Sequence, residues 1–282
     1  MPSKPGNKEI IFKNLHHSGK MLVLPNVWDP LGAILLEKIG YKAVATASAS
    51  IALSNGFADG QKIPLKEVII ILAKIVNSVS IPVSADIEGG YGNNNNDLKE
   101  NIKQLIDTGI AGINFEDSNH YGEGLISISE QCKKIEIIKE TAAQQGIMLF
   151  INARADVNLR SKSLPATEKV EEIIKRGKAY RDAGADGFYP MLLKDQSGIE
   201  KVINEVKMPV NILLVPGIPN LDLLQKMGLA RLSLGPGLLK IAIKAMKNVS
   251  EKLLHLEGMS DITENPVTGE YLDQLIANKN GQ

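Results

Sequence analysis

The stretch Val83-Ser84-Ala85-Asp86-Ile87-Glu88-Gly89-Gly90-Tyr91-Gly92 decides how this chain is read. Ser80-Ile81-Pro82-Val83 leads into it, an apolar run with β-branched residues, of the kind that forms a short buried strand. Asp86 and Glu88 then arrive two residues apart, and in an extended chain that spacing puts both carboxylates on one face. Gly89, Gly90 and Gly92 follow, so the backbone can turn sharply and leave space beside the acids. Two like charges this close repel unless something positive sits between them. A divalent cation meets that need, and Mg²⁺, which takes few carboxylates and keeps several waters, suits a strand end. A solvated acidic turn accounts for the same residues.

Working outward, strands and helices alternate along the whole chain. Met21 to Pro25 reads as the first strand and Pro30 to Ile39 as its helix. Ala43 to Thr46 is the second strand, followed by a helix from Leu65 to Asn77. The opening stretch is the third strand. After it, Asp97 and Glu100 have the spacing of a capping box, with Leu98, Ile102, Leu105 and Ile106 as the apolar stripe of the helix. Gly112 to Glu116 is the fourth strand, with a helix from about Ser129 to Gln145. Met148 to Asn152 is the fifth, and Val170, Ile173 and Ile174 mark its helix. Gly187 to Met191, Pro209 to Leu214 and Arg231 to Leu234 complete the strands, and Leu238 to Leu256 is the last long helix.

Eight such units in 282 residues predict an α/β fold, a single (β/α)8 TIM barrel over residues 1–257. Residues 258–282 form a polar C-terminal extension with one weak helix near Tyr271 to Ala277. A hydrophobic fraction of 44% supports a substantial core. Lys+Arg 32 against Asp+Glu 32 gives a net charge of +0, which argues against nucleic acid or a membrane surface as a charge-driven partner. A single cysteine allows no internal disulfide framework and fits a cytoplasmic setting. Met1 to Gly6 lacks the apolar core of a signal peptide, and no apolar run is long enough for a bilayer.

A barrel gathers its chemistry at the C-terminal ends of the strands. Asp86 and Glu88 end the third strand, Glu116-Asp117 ends the fourth and Arg154 follows the fifth. Asn211 lies in the seventh, and Asp59 in the long loop after the second. Ionic groups far apart in the chain are thus expected on one rim.

At these residues the chain resembles the isocitrate lyase and phosphoenolpyruvate mutase superfamily. The resemblance is carried by Leu24-Pro25-Asn26-Val27-Trp28-Asp29-Pro30, by Thr46-Ala47-Ser48-Ala49-Ser50 and by Gly56-Phe57-Ala58-Asp59-Gly60. It continues through Asp86 to Gly92, Asn114-Phe115-Glu116-Asp117-Ser118, Asn152-Ala153-Arg154, Pro209-Val210-Asn211 and Gly228 to Pro236. The resemblance implies that Asp86 binds Mg²⁺ most directly while Asp59, Glu88 and Glu116 hold the metal's waters. It implies that the N–H groups of Ala47, Ser48 and Ala49 cradle a substrate oxygen, that Arg154 pairs with a substrate carboxylate, and that Asn211 lines the pocket. The implied substrate is a small α-oxo or 2-hydroxy carboxylate, cleaved through an enolate. The implied assembly is a homotetramer, often with an exchanged last helix.

The chain departs from the superfamily's lyases in the loop after the fourth strand. There the lyases carry a cysteine motif, whereas Asp117 to Leu125 is short and has neither cysteine nor lysine. Cys132 shares a helical face with Ile128, Ile135 and Ile138 and reads as core. His120 is the one histidine near the proposed site and is a candidate for proton transfer beside Arg154 and Glu116. Carbon–carbon lysis or decarboxylation is the leading expectation. The alternatives are carbon–phosphorus chemistry, as in a phosphonomutase or phosphonopyruvate hydrolase, and a non-catalytic barrel that binds carboxylates. A Schiff-base aldolase would need a lysine inside a strand, and Gly187 to Met191 has none.

Overall fold

The computed structural model describes residues 8–161 and 163–277. The first strand is broken by Pro25, which has no N–H to give a neighbour. Its halves are β1 (Leu22–Leu24) and β2 (Asn26–Val27). Parallel pairing then runs from β2 through β3 (Val44–Thr46), β4 (Val83–Asp86), β5 (Gly112–Glu116) and β6 (Phe150–Ala155) to β7 (Gly187–Pro190). On the other side of Pro25, β1 pairs with β9 (Arg231–Ser233), which pairs with β8 (Asn211–Leu213). Phe188 bridges to Val210, its N–H donating to the Pro209 carbonyl at 2.8 Å, and this joins β7 to the approach of β8. The strands therefore close into a ring, as expected for a TIM barrel.

Asn26 clasps the broken strand with its side chain. Its amide nitrogen donates to the Thr46 carbonyl at 2.8 Å, and its oxygen accepts from the N–H groups of Leu234 and Gly235, each at 2.9 Å. Backbone groups that Pro25 displaces from the ladder find partners in this way.

Period-two alternation sorts the strand residues. Ala85, Ile113, Phe115, Ile151, Ala153, Phe188, Ile212 and Leu232 form the core under the helices. The alternate positions carry Ser84, Asn114, Asn152, Asn211 and Arg231, all buried. Within the ring Asn152 donates to the Asn114 side-chain oxygen at 2.8 Å, and Arg231 Nη2 donates to the same oxygen at 3.1 Å. This polar interior layer was not legible as such in the sequence.

The lower end of the barrel is plugged by α1 (Lys8–His16). Phe12 packs with Leu24, Ala43, Ala45, Ala111 and Phe150. His16 stacks on Phe150 at 4.1 Å and bonds through Nδ1 to the Phe12 carbonyl at 2.8 Å. His16 lies away from the acids, and burial, with Arg231 adding, pushes its pKa down to about 3.

Between strands run α2 (Pro30–Ile39), α3 (Ser48–Ser54), α4 (Leu65–Ser78), α5 (Asn95–Asp107) and α6 (Ile128–Gln144). Then come α7 (Val157–Arg160), α8 (Ala166–Asp182), α9 (Gln196–Val206) and α10 (Leu221–Lys226). The capping box of α5 sits three residues earlier than Asp97–Glu100. Asn94 is the N-cap, accepting from the N–H groups of Asn96 and Asp97, and Asp97 reaches back to the Asn93 N–H at 3.2 Å. Glu100 pairs with Lys103 instead. Strand β6 runs three residues past Asn152, so Arg154 lies within it rather than beyond it. Cys132 is half-buried, with its thiol 3.5 Å from the Ala179 carbonyl.

The long helix α11 (Gly237–Leu254) buries Leu239 and leaves Ile241, Ile243 and Met246 more than half exposed. Beyond it, α12 (Met259–Thr263) leads to α13 (Gly269–Ala277), which returns to pack on α2 with Leu275 buried. Residues 278–282 of the expected tail lie outside the described residues. No helix among the described residues is long and apolar enough to cross a membrane.

Candidate active site

Strand register assembles the mouth of the barrel. Glu116 is the last residue of β5 and stands opposite Arg154 on β6, which in turn stands opposite Tyr189 on β7. In-register side chains on neighbouring parallel strands share a face, so the Glu116 Oε2 to Arg154 Nη1 contact of 2.8 Å follows from pairing alone. The Arg154 guanidinium also lies 6.0 Å from the centre of the Tyr189 ring.

The acids gather around this pair. Asp86 closes β4, and its Oδ2 accepts from the Ser48 N–H at 3.1 Å and the Ser48 hydroxyl at 2.9 Å. Its Oδ1 is buried without a hydrogen-bond partner among the described residues. Glu88 takes a left-handed backbone turn (φ 52°) and is 2% exposed, an uncommon state for a charged, non-glycine residue. The Gln61 N–H donates to its Oε2 at 2.7 Å and the Tyr91 hydroxyl to its Oε1 at 3.2 Å. Burial pushes the Glu88 carboxyl up to about 7, with the Gln61 N–H opposing and the charges of Asp86, Glu116 and Asp59 adding. One donor atom each from Glu88, Glu116 and His120 falls within 4.8 Å of the others.

The glycines of the turn are filled rather than open. A Cβ on Gly89 would meet His120 Cδ2 at 2.6 Å, and one on Gly90 would meet Leu98 at 2.5 Å. The turn thus lets an imidazole and a leucine close against the backbone.

Arg154 is held from behind. Asp156 grips it at two points, Nε to Oδ1 at 2.6 Å and Nη2 to Oδ2 at 3.0 Å. Burial works against the guanidinium charge, but Glu116 and Asp156 outweigh it and keep Arg154 protonated. Asp156 is supported by the Ser118 hydroxyl, while its N–H donates to Asp117 Oδ1 at 2.8 Å. Asp117 is fully buried and accepts from Arg176 at 2.8 Å and Tyr180 at 2.6 Å, so it braces the loop instead of facing the mouth. Burial raises its pKa despite these donors. The loop after β5 is tied down by the Ser118–Leu125 bridge and by the Asn119 N–H to the Gly124 carbonyl at 3.0 Å.

Asp86, Glu88, Glu116, His120 and Arg154 are brought together. Asp59 sits in an exposed turn, where partial burial of its carboxyl and then the charge of Asp86 raise its pKa. Ala47 is the N-cap of α3, with Ser48 and Ala49 in its first turn, and the Ser48 N–H is committed to Asp86. Asn211 starts β8 opposite Arg231, buried with both amide atoms unpartnered. Among the described residues no carboxylate contacts Arg231, and burial lowers its pKa to about 10. Trp28 lines a separate cleft of about 360 Å³ with Asp29, Asn55 and Lys74. Tyr121 is 65% exposed, and a cleft of about 120 Å³ opens beside it and His120. The supports Gln61, Tyr91 and Asp156 were missed in the sequence. Asp156 carried a signal, since an acid two residues after a strand arginine shares its face.

These residues fit a hard divalent cation: the donors are oxygen-rich, and Asp86 Oδ1 is a buried carboxylate oxygen with nothing to accept. The family model described as phosphoenolpyruvate phosphomutase matches residues 12–254. An uncharacterized protein of Mycobacterium tuberculosis is 34% identical over 224 residues, 79% of this chain and 81% of that protein. The 2-methylisocitrate lyase of Bacillus subtilis is 26% identical, covering 71% of this chain and 64% of the lyase. The oxaloacetate decarboxylase of Pseudomonas entomophila is 28% identical, covering 74% and 71%. Among solved structures, a protein from Burkholderia cenocepacia J2315, provisionally named a phosphonomutase, is 34% identical. It superposes with a TM-score of 0.83 over 87% of this chain and 100% of its own. A phosphonopyruvate hydrolase, solved with oxalate and Mg²⁺, shares the fold at 21% identity, with a TM-score of 0.83 over 98% of this chain and 96% of its own.

Proposed function

The chain belongs to the phosphoenolpyruvate phosphomutase family, and from that premise we propose a divalent-metal enzyme that cleaves a carbon–carbon bond beside a carbonyl in a small oxo- or hydroxy-carboxylate. The observation that carries this reading is the meeting of an unpartnered Asp86 oxygen, the Glu88–Glu116–His120 donors and a braced Arg154 at one mouth. Asp86 would be the direct metal ligand, with Glu88, Glu116 and Asp59 around it; Mg²⁺ is the reference ion. When bound, the metal supplies Lewis-acid stabilisation of the negative charge that develops on the substrate carbonyl oxygen.

The chain's own residues do the rest. A guanidinium has five N–H donors. Asp156 and Glu116 take three on Arg154, which leaves two for a substrate carboxylate. Asp156 keeps the guanidinium from turning, so little rotamer freedom is lost when the substrate arrives. In this proposal the N–H groups of the α3 first turn that Asp86 does not take receive an anionic substrate oxygen, which the partial positive charge of a helix start favours. The deciding test is turnover of oxaloacetate, methylisocitrate and phosphonopyruvate with and without Mg²⁺. Metal-dependent release of a carbon fragment supports the proposal. Phosphate release from phosphonopyruvate alone supports the carbon–phosphorus reading, which the 34% identity to the Burkholderia protein favours. Metal-dependent oxalate binding without turnover of any substrate supports a non-catalytic carboxylate binder.

The same proposal includes a homo-oligomer, a tetramer by resemblance, joined through the apolar face of α11 at Ile241, Ile243 and Met246. Light scattering of the unaltered chain and of Ile241→Glu/Met246→Glu tests it. A monomeric unaltered chain refutes it.

A further inference from the structure

His120 is six per cent exposed at its side chain, and its Nε2 lies 2.9 Å from Glu116 Oε1. Yet among the described residues Nε2 has no hydrogen-bond partner. The two atoms are close, but neither is aimed at the other as a donor is aimed at an acceptor. With the ring proton on Nδ1, Nε2 would offer a lone pair beside that carboxylate oxygen, and a cation between them would engage both. An octahedral ion with bonds of about 2.1 Å sets neighbouring donors roughly 3.0 Å apart, so Glu116 and His120 already stand at ligand spacing. Glu88 completes the set within 4.8 Å, close enough to be drawn in by a modest side-chain movement. The ring is also fixed in place: it lies against Gly89, where a Cβ would come within 2.6 Å of Cδ2.

We propose that His120 Nε2 is a direct metal ligand, making this mouth a mixed nitrogen–oxygen site that prefers a first-row dication such as Mn²⁺ to Mg²⁺. The inference rests on reading the mouth as a metal site and goes beyond it in naming the ion class and the ligand. Mg²⁺ takes oxygen donors and keeps its waters, whereas the first-row dications accept imidazole more readily, Mn²⁺ the least of them. A nitrogen donor beside two carboxylates therefore moves selectivity away from Mg²⁺.

The test uses the full chain stripped of metal by chelation. Mn²⁺ is titrated in and bound ion counted by electron paramagnetic resonance, with Mg²⁺ as competitor. Pulsed measurements on the Mn²⁺-loaded protein then look for nitrogen coupling, with natural-abundance and ¹⁵N-histidine-labelled chain. The expected result is bound Mn²⁺ with a directly coordinated ¹⁴N signal that changes to ¹⁵N on labelling. In His120→Gln that coupling disappears and Mn²⁺ affinity falls tenfold or more, while Mg²⁺ affinity changes less than threefold. Mn²⁺ bound without nitrogen coupling overturns the inference and leaves the metal-dependent reading standing. Failure to bind either ion overturns both. The labelling measurement is made on the unaltered chain, so the outcome does not depend on how the variant folds.

Discussion

The two ends of the barrel are built on opposite rules. At the lower end Phe12, His16 and Phe150 fill space with rings, Phe12 and Phe150 edge-to-face at 5.4 Å and His16 stacked at 4.1 Å. At the upper end Asp86, Glu88 and Glu116 crowd negative charge, and a buried carboxylate oxygen is left without a partner. The lower end lowers the folding free energy by removing apolar surface from water. The upper end raises it through desolvated like charges. A fold that keeps such a mouth does so against stability, which is the usual mark of a site held for chemistry.

If that contrast is correct, substitutions at the two ends separate activity from stability. Asp86→Ala should lower kcat/KM by about a thousandfold or more, on the order of 4 kcal/mol of transition-state stabilisation, while Tm stays level or rises. Steady-state kinetics beside thermal melts check this, and a collapsed Tm would break the comparison. Phe12→Ala should do the reverse, costing about 3–4 kcal/mol of stability with kcat/KM per folded molecule unchanged.

Between the ends lies the seam. Asn26→Ala strands two N–H groups and one carbonyl and should cost about 2–3 kcal/mol, read as a lower denaturant midpoint. The gentlest probe is pH. The His16 pKa is lowered from 6.5 to about 3 on folding, so the unfolded chain takes up the proton first. Stability is then full above pH 6.5 and is lost as the pH falls through the window toward 3, by about 2 kcal/mol at pH 5. His16→Phe should flatten that slope in denaturant melts and leave the mouth's own pH response intact.

The upper end was far more legible than the lower. Acids two residues apart at a strand end announce themselves, and the barrel reading then placed Glu116 and Arg154 beside them. The ring order followed from eight strand–helix units. The plug was missed because α1 is short and its lone aromatic gives no periodicity to read. The cap of α5 was misplaced because four successive asparagines all qualify as N-caps, and only three-dimensional register selects Asn94. The interior layer of Asn114, Asn152, Asn211 and Arg231 was hidden because polar residues in a strand read as its solvent face until the sheet closes on itself. Roles assigned to Ala47, Ser48, Ala49 and Asn211 came from resemblance, and the structure adds only where they stand.

The space above Gly89 bears on ancestry as well as geometry. A methyl group there would collide with the His120 ring, so the two positions cannot drift independently. Among relatives, any lineage that replaced the glycine should also have lost the imidazole or moved it elsewhere, and the two should be inherited as a pair. A relative found with alanine and histidine at these positions would need a different course for the loop after β5.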